Sequence, residues 1–428
     1  MNVPRLDREI GIEVYATQSQ GIGGRIRQFP EDFKVEETLT DGSRAQIEPA
    51  VMPQISGRGR YLICVLVKRN CDTLLAVQAV VKKLGLDEER VQIAGIKDAR
   101  ALSAQHISIG RLFPEQVEQV KLGSSVWLYP LRFSNEKIHS GLLFGNQFRI
   151  TLRKLSHAES LIGEQIESVG DDLLNLGGCP NFYGHQRFGT TRPITHLVGK
   201  QILHGQWEKA ALTYLAKPSL NEHPESRQAR EQLLKTRNYG EALRCFPFRL
   251  VYERQMLGHL ARRPRDFVGA FHRLPKKLCQ LFIQAYQSYL FNQFLSQRIQ
   301  NGLPLKRPRR GEFKVRIDGE EYLALPQIGY RQFVSAGEQG ENEKQILEKE
   351  DIAPQNFKVS AMPEIDSSGS LRTALTPLIG LNIEKPVQDD ANPDKKMVSL
   401  SFTLRKGSYA TIILREFMKP RNLVKAGF

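Results

Sequence analysis

The stretch Tyr61–Gly110, YLICVLVKRNCDTLLAVQAVVKKLGLDEERVQIAGIKDARALSAQHISIG, packs a strand, a helix and a returning pair of strands into a short length of chain. YLICVLVK (61–68) is almost uninterrupted apolar sequence, the pattern of a strand buried on both faces. Asp72 stands where a helix N-cap belongs, and Leu74, Val77, Val81 and Leu84 repeat at helical spacing until Gly85 stops the run. A second strand is predicted over Arg90–Ala94, a turn at Gly95-Ile96-Lys97-Asp98, and a return strand over Gln105–Ile109. Asp98 is thereby predicted in a loop at a strand end, where rigid scaffolds commonly present reactive groups.

Working outward, Ser124–Phe133 and Gln147–Lys154 add strand-like runs, the second alternating Phe148, Ile150 and Leu152. A sheet carrying helices is the simplest assembly of this half. From about residue 193 the texture turns helical, with a long helix predicted over Pro275–Gln300 and Gly302 just past its end. Strand-like pieces return at Phe313–Ile317 and Tyr322–Leu325, and the acidic stretch Glu338–Asp351 reads as an exposed, mobile face. Glu384–Lys396 reads as a polar linker before a final strand, Val398–Leu404, and a final helix, Ala410–Met418. No internal repeat or low-complexity tract is present.

A chain of 428 residues is long enough to bury a core without disulfide or metal staples. A mean hydropathy of −0.37 and the absence of a long apolar run predict no transmembrane helix. Charged residues in the opening MNVPRLDREIGIEV leave no room for a signal peptide's apolar core, so a cytoplasmic protein is expected. Five scattered cysteines without a CxxC pair argue against a disulfide framework and a zinc site.

Lys and Arg number 61 against 46 Asp and Glu, a net charge of +15, and the isoelectric point is near 9.6, which points to an anionic partner such as nucleic acid. The excess is clustered. Arg262, Arg263, Arg265, Arg273, Lys276 and Lys277 face only Asp266, and Lys306, Arg307, Arg309, Arg310, Lys314 and Arg316 face only Glu312, so each run carries a local +5. One such run is equally well a solvated face; several favour RNA or DNA over a membrane, because none lies on a strongly amphipathic helix.

Several catalytic classes are excluded by their motifs. Gly21-Ile22-Gly23-Gly24 resembles a phosphate loop, but Arg-Ile-Arg-Gln-Phe-Pro follows and no helix opens there. No H-x-x-x-H or H-x-E pattern with cysteine partners, no G-x-S-x-G and no G-x-x-x-x-G-K-[ST] occurs. What remains is four segments mixing carboxylates, cations, aromatics and glycines: QFPEDFKVEE (28–37), AGIKDARA (94–101), NFYGHQRFG (181–189) and LRKGSYATIILREF (404–417). Each alone has a bland reading: Asp98 could cap a turn, Phe33 and Phe188 could be core, and Arg187 could pair with a nearby acid.

Taken together, these segments resemble the TruD family of tRNA pseudouridine synthases, with its PEDF-x-V-x-E, G-x-KD-x-x-A, N-[FY]-[FY]-G-x-QRFG and late KGS-[FY]-AT…RE patterns. GLLFGN (141–146) and AYQSYLFNQFLSQRI (285–299) resemble two further family stretches, and the resemblance runs from about Phe29 to Met418 in one order. It implies an α+β fold: a pseudouridine-synthase-type mixed β-sheet catalytic domain with an inserted, helix-rich α+β domain specific to the family. The breaks in composition place the catalytic domain at 1–205 and 391–428 and the insertion at 206–390.

The resemblance implies a cofactor-free and metal-free isomerisation of uridine to pseudouridine, with uridine 13 in the D arm of tRNA as the target; a monomer is expected, although the sequence leaves the oligomeric state open. Asp98 aligns with the family's catalytic aspartate. Such a carboxylate can attack the anomeric carbon or abstract the ribose 2′ proton, and both routes stay open. Either needs an ionised carboxylate, which a neighbouring guanidinium favours. The family's lysine six residues before the Phe of PEDF is here Arg27, a departure that keeps the charge and changes its shape. Lys97 is the alternative partner for Asp98. Phe33, Asn181, Tyr183 and Tyr409 resemble residues that line the uridine pocket, Tyr409 being placed to stack on a flipped base. Arg187, Arg192, Arg405, Lys406 and Arg415 are expected to contact phosphates. The rival expectation is a tRNA-binding or tRNA-folding chaperone whose catalysis is dispensable.

Overall fold

Strand-forming runs from both ends of the chain meet in one nine-stranded mixed sheet in the computed structural model, which describes residues 2–52, 54–120 and 122–428. Phe33–Leu39 (β1), Tyr61–Arg69 (β2), Val91–Ile93 (β3), Leu102–Gly110 (β4), Val126–Ser134 (β5) and Leu143–Leu155 (β6) supply most of it, and Ile379–Ile383, Val387–Gln388 and Lys396–Arg405 complete it. The order is Ile379–Ile383, Lys396–Arg405, β6, β1, β4, β2, β5, with β3 paired to β4 and Val387–Gln388 to the closing strand Lys396–Arg405. Among these strands β1 and β4 pair in parallel, and the other neighbours are antiparallel. The α+β class expected from the sequence is the class observed.

β2 is buried along nearly its whole length because both of its faces are covered. Leu62, Cys64 and Leu66 pack with Ile107 and Ile109 of β4 against Ala76 and Val80 of the helix Thr73–Leu84, while Val65 and Val67 pack with Ala104 and Tyr129 on the other face. Each such aliphatic side chain contributes about 1.5–3 kcal/mol by leaving water. Asp72 caps this helix, accepting from the amides of Leu74 (2.8 Å) and Leu75 (3.2 Å), and Gly85 ends it in the left-handed conformation at φ 62°. The expected face is observed except at its start: Val81 is buried and Val77 and Leu84 pack against the core beside Ala76 and Val80, whereas Leu74 is exposed.

The chain divides into two compact units, Thr17–Cys179 with Thr376–Phe428, which holds the sheet, and Met1–Ala16 with Pro180–Leu375, which is helical. These limits lie N-terminal to the breaks expected at 205/206 and 390/391, and the first residues go with the helical unit. The reason is a set of non-local hydrogen bonds from the long helix Lys276–Gln300: Asn292 Nδ2 donates to the carbonyls of Ile10 (2.9 Å) and Tyr183 (3.1 Å), and Ser296 Oγ to that of Gly11 (2.9 Å). The helix Thr195–Leu203 crosses the long helix at Gly199, where any Cβ would fall 2.0 Å from the Phe282 carbonyl oxygen.

Two other expectations are corrected. The acidic stretch is not a mobile face: Gly337–Lys349 is a helix that buries Gln339, Asn342, Glu343, Ile346 and Leu347. Glu343 accepts from Ser335 (2.7 Å to its amide) and from Gln339 Nε2 (2.9 Å), and burial pushes its carboxyl up to about 7. The expected linker 384–396 is structured, because Asp389 is buried and held by Arg153 Nη1 (2.9 Å) and the amide of Lys154 (3.0 Å).

His196 makes the helical unit acid-sensitive. It is buried, stacked on Tyr289 (5.1 Å) and edge-on to Phe188 (5.3 Å), and burial, helped by the charge of Lys217, pulls it from 6.5 down to about 3. The folded chain thus keeps His196 neutral where the unfolded chain binds a proton, so stability is full above pH 6.5 and falls as pH drops toward 3. Between pH 6.5 and 5 this loss should reach about 2 kcal/mol. Urea unfolding of the whole chain at pH 7 and pH 5 should show a shallower pH dependence for His196→Phe than for the wild type, and equal slopes would refute the assignment.

Candidate active site

Parallel pairing of β1 with β4, Lys34 opposite Leu102, makes the residues that precede each strand emerge side by side. Ahead of β4 lies Gly95-Ile96-Lys97-Asp98, and ahead of β1 lies Arg27 to Asp32. Arg27 Nη2 donates to Asp98 Oδ2 at 3.0 Å, and its guanidinium carbon stands 4.2 Å above the centroid of the Phe33 ring. Arg27 is 8% exposed at its side chain and Asp98 39%, so the carboxylate is held from behind and open in front. Burial lowers the Arg27 guanidinium below its ordinary value; Asp98 opposes that shift and Arg100 adds to it.

Arg27 reaches this position from a left-handed backbone, φ 55°, which costs a non-glycine residue about 1–3 kcal/mol. The neighbouring backbone compels it. Arg25 exchanges hydrogen bonds with Arg153 (2.8 and 2.9 Å), and Ile26 donates to the Ala426 carbonyl (2.9 Å). At Gly24, φ 86°, a Cβ would lie 2.7 Å from the Arg153 carbonyl oxygen. Gly24, and Gly21 where a Cβ would lie 2.6 Å from the Met418 carbonyl oxygen, therefore serve close backbone approach, in keeping with the cluster's rejection as a phosphate loop.

The Asp98 loop is tethered by side chains from three surrounding elements. Lys68, fully buried at the end of β2, donates from Nζ to the carbonyls of Asp98 (2.6 Å) and Cys71 (2.9 Å). Thr73 Oγ1 accepts from the Lys97 amide (3.1 Å) and donates to the Lys97 carbonyl (3.2 Å), and Gln105 Nε2 donates to the Gly95 carbonyl (3.0 Å). Lys97 turns away from Asp98 and pairs with Glu37 at 2.6 Å; Glu37 also accepts from the His106 amide (3.0 Å). Burial alone would raise the Glu37 carboxyl, but the hydrogen bond from His106 and the charge of Lys97 outweigh it and hold the group below its ordinary range. Burial likewise lowers the Lys68 ammonium, against the opposing charge of Asp98. The expectation that left Arg27 and Lys97 as alternative partners of Asp98 is thus resolved in favour of Arg27.

Lys68 and Thr73 lie outside the motif segments, and Glu37, the last residue of PEDF-x-V-x-E, carries no expected role there. A signal existed for two of them: Lys68 is a lone cation closing an apolar strand, and Glu37 falls on the inward phase of β1, whose Phe33, Val35 and Leu39 are buried.

The expected pocket residues divide between the units. In the sheet unit Phe33 is buried, edge-on to Phe148 at 6.1 Å, and Tyr409 is half-buried at the N-cap of the helix Ala410–Met418. In the helical unit Arg372 donates to Asn181 Oδ1 (2.6 Å) and to its carbonyl (2.9 Å), and the same guanidinium lies 4.0 Å from the Tyr183 ring centroid. Among the expected phosphate contacts, Lys406 is exposed, Arg187 is half-buried 5.6 Å from the Tyr183 ring, and Arg405 lies 5.3 Å from the Phe144 ring. Two are corrected. Arg192 turns inward onto the carbonyls of Tyr214 (2.9 Å) and Lys217 (3.0 Å), and Arg415 is buried against Glu416 (3.1 Å), so both guanidinium groups serve packing.

Replacing Lys68 by Met should leave two half-buried carbonyls without their donor and cost about 1–3 kcal/mol, read from denaturant unfolding. The exposed Lys406→Met should stay within about 0.5 kcal/mol of the wild type.

The family model described as tRNA pseudouridine synthase D (TruD) matches residues 9–321 and 314–417. A protein of Methanosarcina acetivorans described as a probable tRNA pseudouridine synthase D is 36% identical, with 98% of each chain covered. One of Methanopyrus kandleri with the same description is 38% identical over 86% of this chain and 88% of its own. A crystal structure of a chain described as a tRNA pseudouridine synthase D from Methanosarcina mazei superposes with a TM-score of 0.81 at 35% identity, over 98% of this chain and 99% of that one. Among the described residues no helix is long and apolar enough to cross a membrane. The chain carrying this tethered aspartate belongs to the TruD family of tRNA pseudouridine synthases, isomerases that act on uridine in tRNA.

Proposed function

We propose that the chain converts uridine 13 in the D arm of tRNA to pseudouridine, with Asp98 as its catalytic residue. The observation that carries this reading is the open Asp98 carboxylate on a loop fixed by Lys68, Thr73 and Gln105, with Arg27 at 3.0 Å. Pre-set geometry of this kind lowers a barrier without reorganisation during the reaction.

The chemistry asks for little else. The bond from C1′ to N1 breaks, the uracil turns, a bond from C1′ to C5 forms, C5 gives up its proton and N1 gains one. Atoms and electrons balance without an added reagent. Asp98 acts either as nucleophile at C1′ or as base toward the 2′ proton, and Arg27 orients it in both cases. A base inside folded RNA must first be extracted and held, a role that family resemblance gives to Phe33, Asn181, Tyr183 and Tyr409.

Purified protein incubated with unmodified tRNA transcripts in the presence of EDTA, followed by carbodiimide-dependent reverse-transcription mapping, should give a stop at position 13. Asp98→Asn should bind tRNA but lower kcat by at least about 10⁴-fold. Arg27→Gln should lower kcat by about 10²–10³-fold with tRNA affinity within a few-fold of wild type, and Arg27→Lys should recover part of the loss. Bound transcripts left unmodified everywhere by the wild type would overturn the proposal and favour an RNA-folding role.

A further inference from the structure

The helical unit carries two basic runs of equal charge, and the fold treats them differently. In the run 306–316 three of the six cations are compensated: Arg309 pairs with Glu338 at 2.8 Å, and Lys314 and Arg316 both reach Glu321, at 2.9 and 3.2 Å, while Lys306, Arg307 and Arg310 are exposed. The one acid inside that run, Glu312, pairs with the buried Arg298 at 2.8 Å and so ties the run to the core. In the run 262–277 the six cations Arg262, Arg263, Arg265, Arg273, Lys276 and Lys277 are all exposed. Among the described residues none of the six has a carboxylate within ion-pair distance.

The single acid of this second run is engaged elsewhere. Asp266 accepts from the Gly269 amide at 2.8 Å, capping the short helix Phe267–Phe271, and its other oxygen lies 2.8 Å from His259 Nε2. His259 is buried and gathers the surface around itself. The amides of Arg262 and Arg263 donate to its carbonyl, at 3.1 and 2.9 Å, and Arg273 Nε donates to its Nδ1 at 3.3 Å. A single tautomer, with the proton on Nε2, satisfies both ring contacts. Residues 262–263 and 273–277 are therefore parts of one surface.

Six exposed cations packed together repel one another, and Asp266, already engaged by His259, is the one carboxylate of the run against them; a polyanion would relieve that repulsion. The helix Val251–Leu260 that ends in this turn begins beside two exposed aromatic rings, Phe248 at 85% exposure and Tyr252 at 44%, with the Arg254 guanidinium 4.6 Å from the Phe248 centroid. Uncompensated cations together with open aromatic faces are what a nucleic-acid strand engages, the cations taking phosphates and the rings taking unpaired bases. An acidic peptide would account for the cations but not for the rings.

We propose that the face formed by residues 262–277, with the exposed rings of Phe248 and Tyr252 at the start of the helix that leads into it, docks the phosphate backbone of the tRNA substrate, and that the half-compensated run 306–316 contributes less. This rests on the reading of the chain as a tRNA-modifying enzyme and names the surface that captures the RNA.

The test uses two charge-matched triple variants of the full chain, Arg263→Ser/Arg265→Ser/Lys277→Ser in the proposed face and Arg309→Ser/Lys314→Ser/Arg316→Ser in the half-compensated run, after thermal unfolding shows that both are folded. Binding of unmodified tRNA transcript is measured by fluorescence anisotropy across a salt series, and KM by pseudouridine formation. The first triple should weaken binding about 10-fold or more near 0.1 M salt, flatten the slope of log affinity against log salt by about two to three, and raise KM in step. The second should change affinity by less than about 3-fold, the allowance for losing distant charge. Phe248→Ala should weaken binding about 5-fold or more, as loss of a stacking platform does. Equal losses in the two triples, or wild-type affinity in the first, would overturn the proposal. The two readings fail separately: patch-dependent binding without pseudouridine anywhere sinks the enzymatic reading and leaves the docking face standing, whereas pseudouridine formation with an unaffected first triple sinks the face alone.

Discussion

One parallel pairing, between β1 and β4, organises the reactive end of the sheet unit. In an otherwise antiparallel sheet it sets two strand beginnings next to each other, so the turn carrying Asp98 and the segment carrying Arg27 arrive at the same edge. A parallel pair cannot be joined by a tight turn, and the long connection it needs is the stretch from β2 through the helix Thr73–Leu84 and β3. That connection supplies Lys68 and Thr73, which hold the loop. The same topological choice thus creates the site and brings the groups that fix it.

Around Asp98 the buried charges are sorted so that each cation has its own acceptor. Arg27 meets Asp98, Lys97 meets Glu37, and Lys68 meets two carbonyls. Without Glu37, Lys97 would be a buried cation one residue from Asp98 and a competitor for its carboxylate, a costly arrangement in a low-dielectric interior. Glu37 therefore has a directing effect although it does not reach Asp98. The stacking of Arg27 over Phe33 limits its guanidinium further, since the ring leaves the planar group one broad face.

Features governed by neighbours in sequence were legible before the structure, and features governed by distant contacts were not. The Asp72 cap, the Gly85 stop, the buried strand β2 and the loop position of Asp98 all follow from local pattern. The exposure of Leu74 at the start of the helix Thr73–Leu84 did not, because the first turn is fixed by the bonds of Thr73 to the Lys97 backbone, a distant contact. The helix Gly337–Lys349 was hidden by its acidity, since its buried positions include Gln339 and Glu343, polar groups that find partners only in the folded chain. Arg192 and Arg415 show the same limit for function: composition reports a charge, and only packing reports which way a guanidinium points. The motif segments point to Asp98 and, one residue ahead of QFPEDFKVEE, to Arg27, which meet at 3.0 Å, but the tethers Lys68, Thr73 and Gln105 lie in residues with no motif of their own.

The closing strand Lys396–Arg405 pairs along almost the full length of β6, yet the two are separated in sequence by the segment Pro180–Leu375 of the helical unit. During synthesis β6 leaves the ribosome long before its partner exists. Through that interval one edge of a strand thirteen residues long offers unpaired backbone groups in a chain already able to form the rest of its sheet. The nascent protein must therefore pass through a state with an open sheet edge, and the helix Ala410–Met418, buried at every position, cannot dock until the same late moment. Maturation of the reactive end is in this way tied to completion of the polypeptide, and truncated chains are left with an adhesive edge where the finished molecule has a covered one.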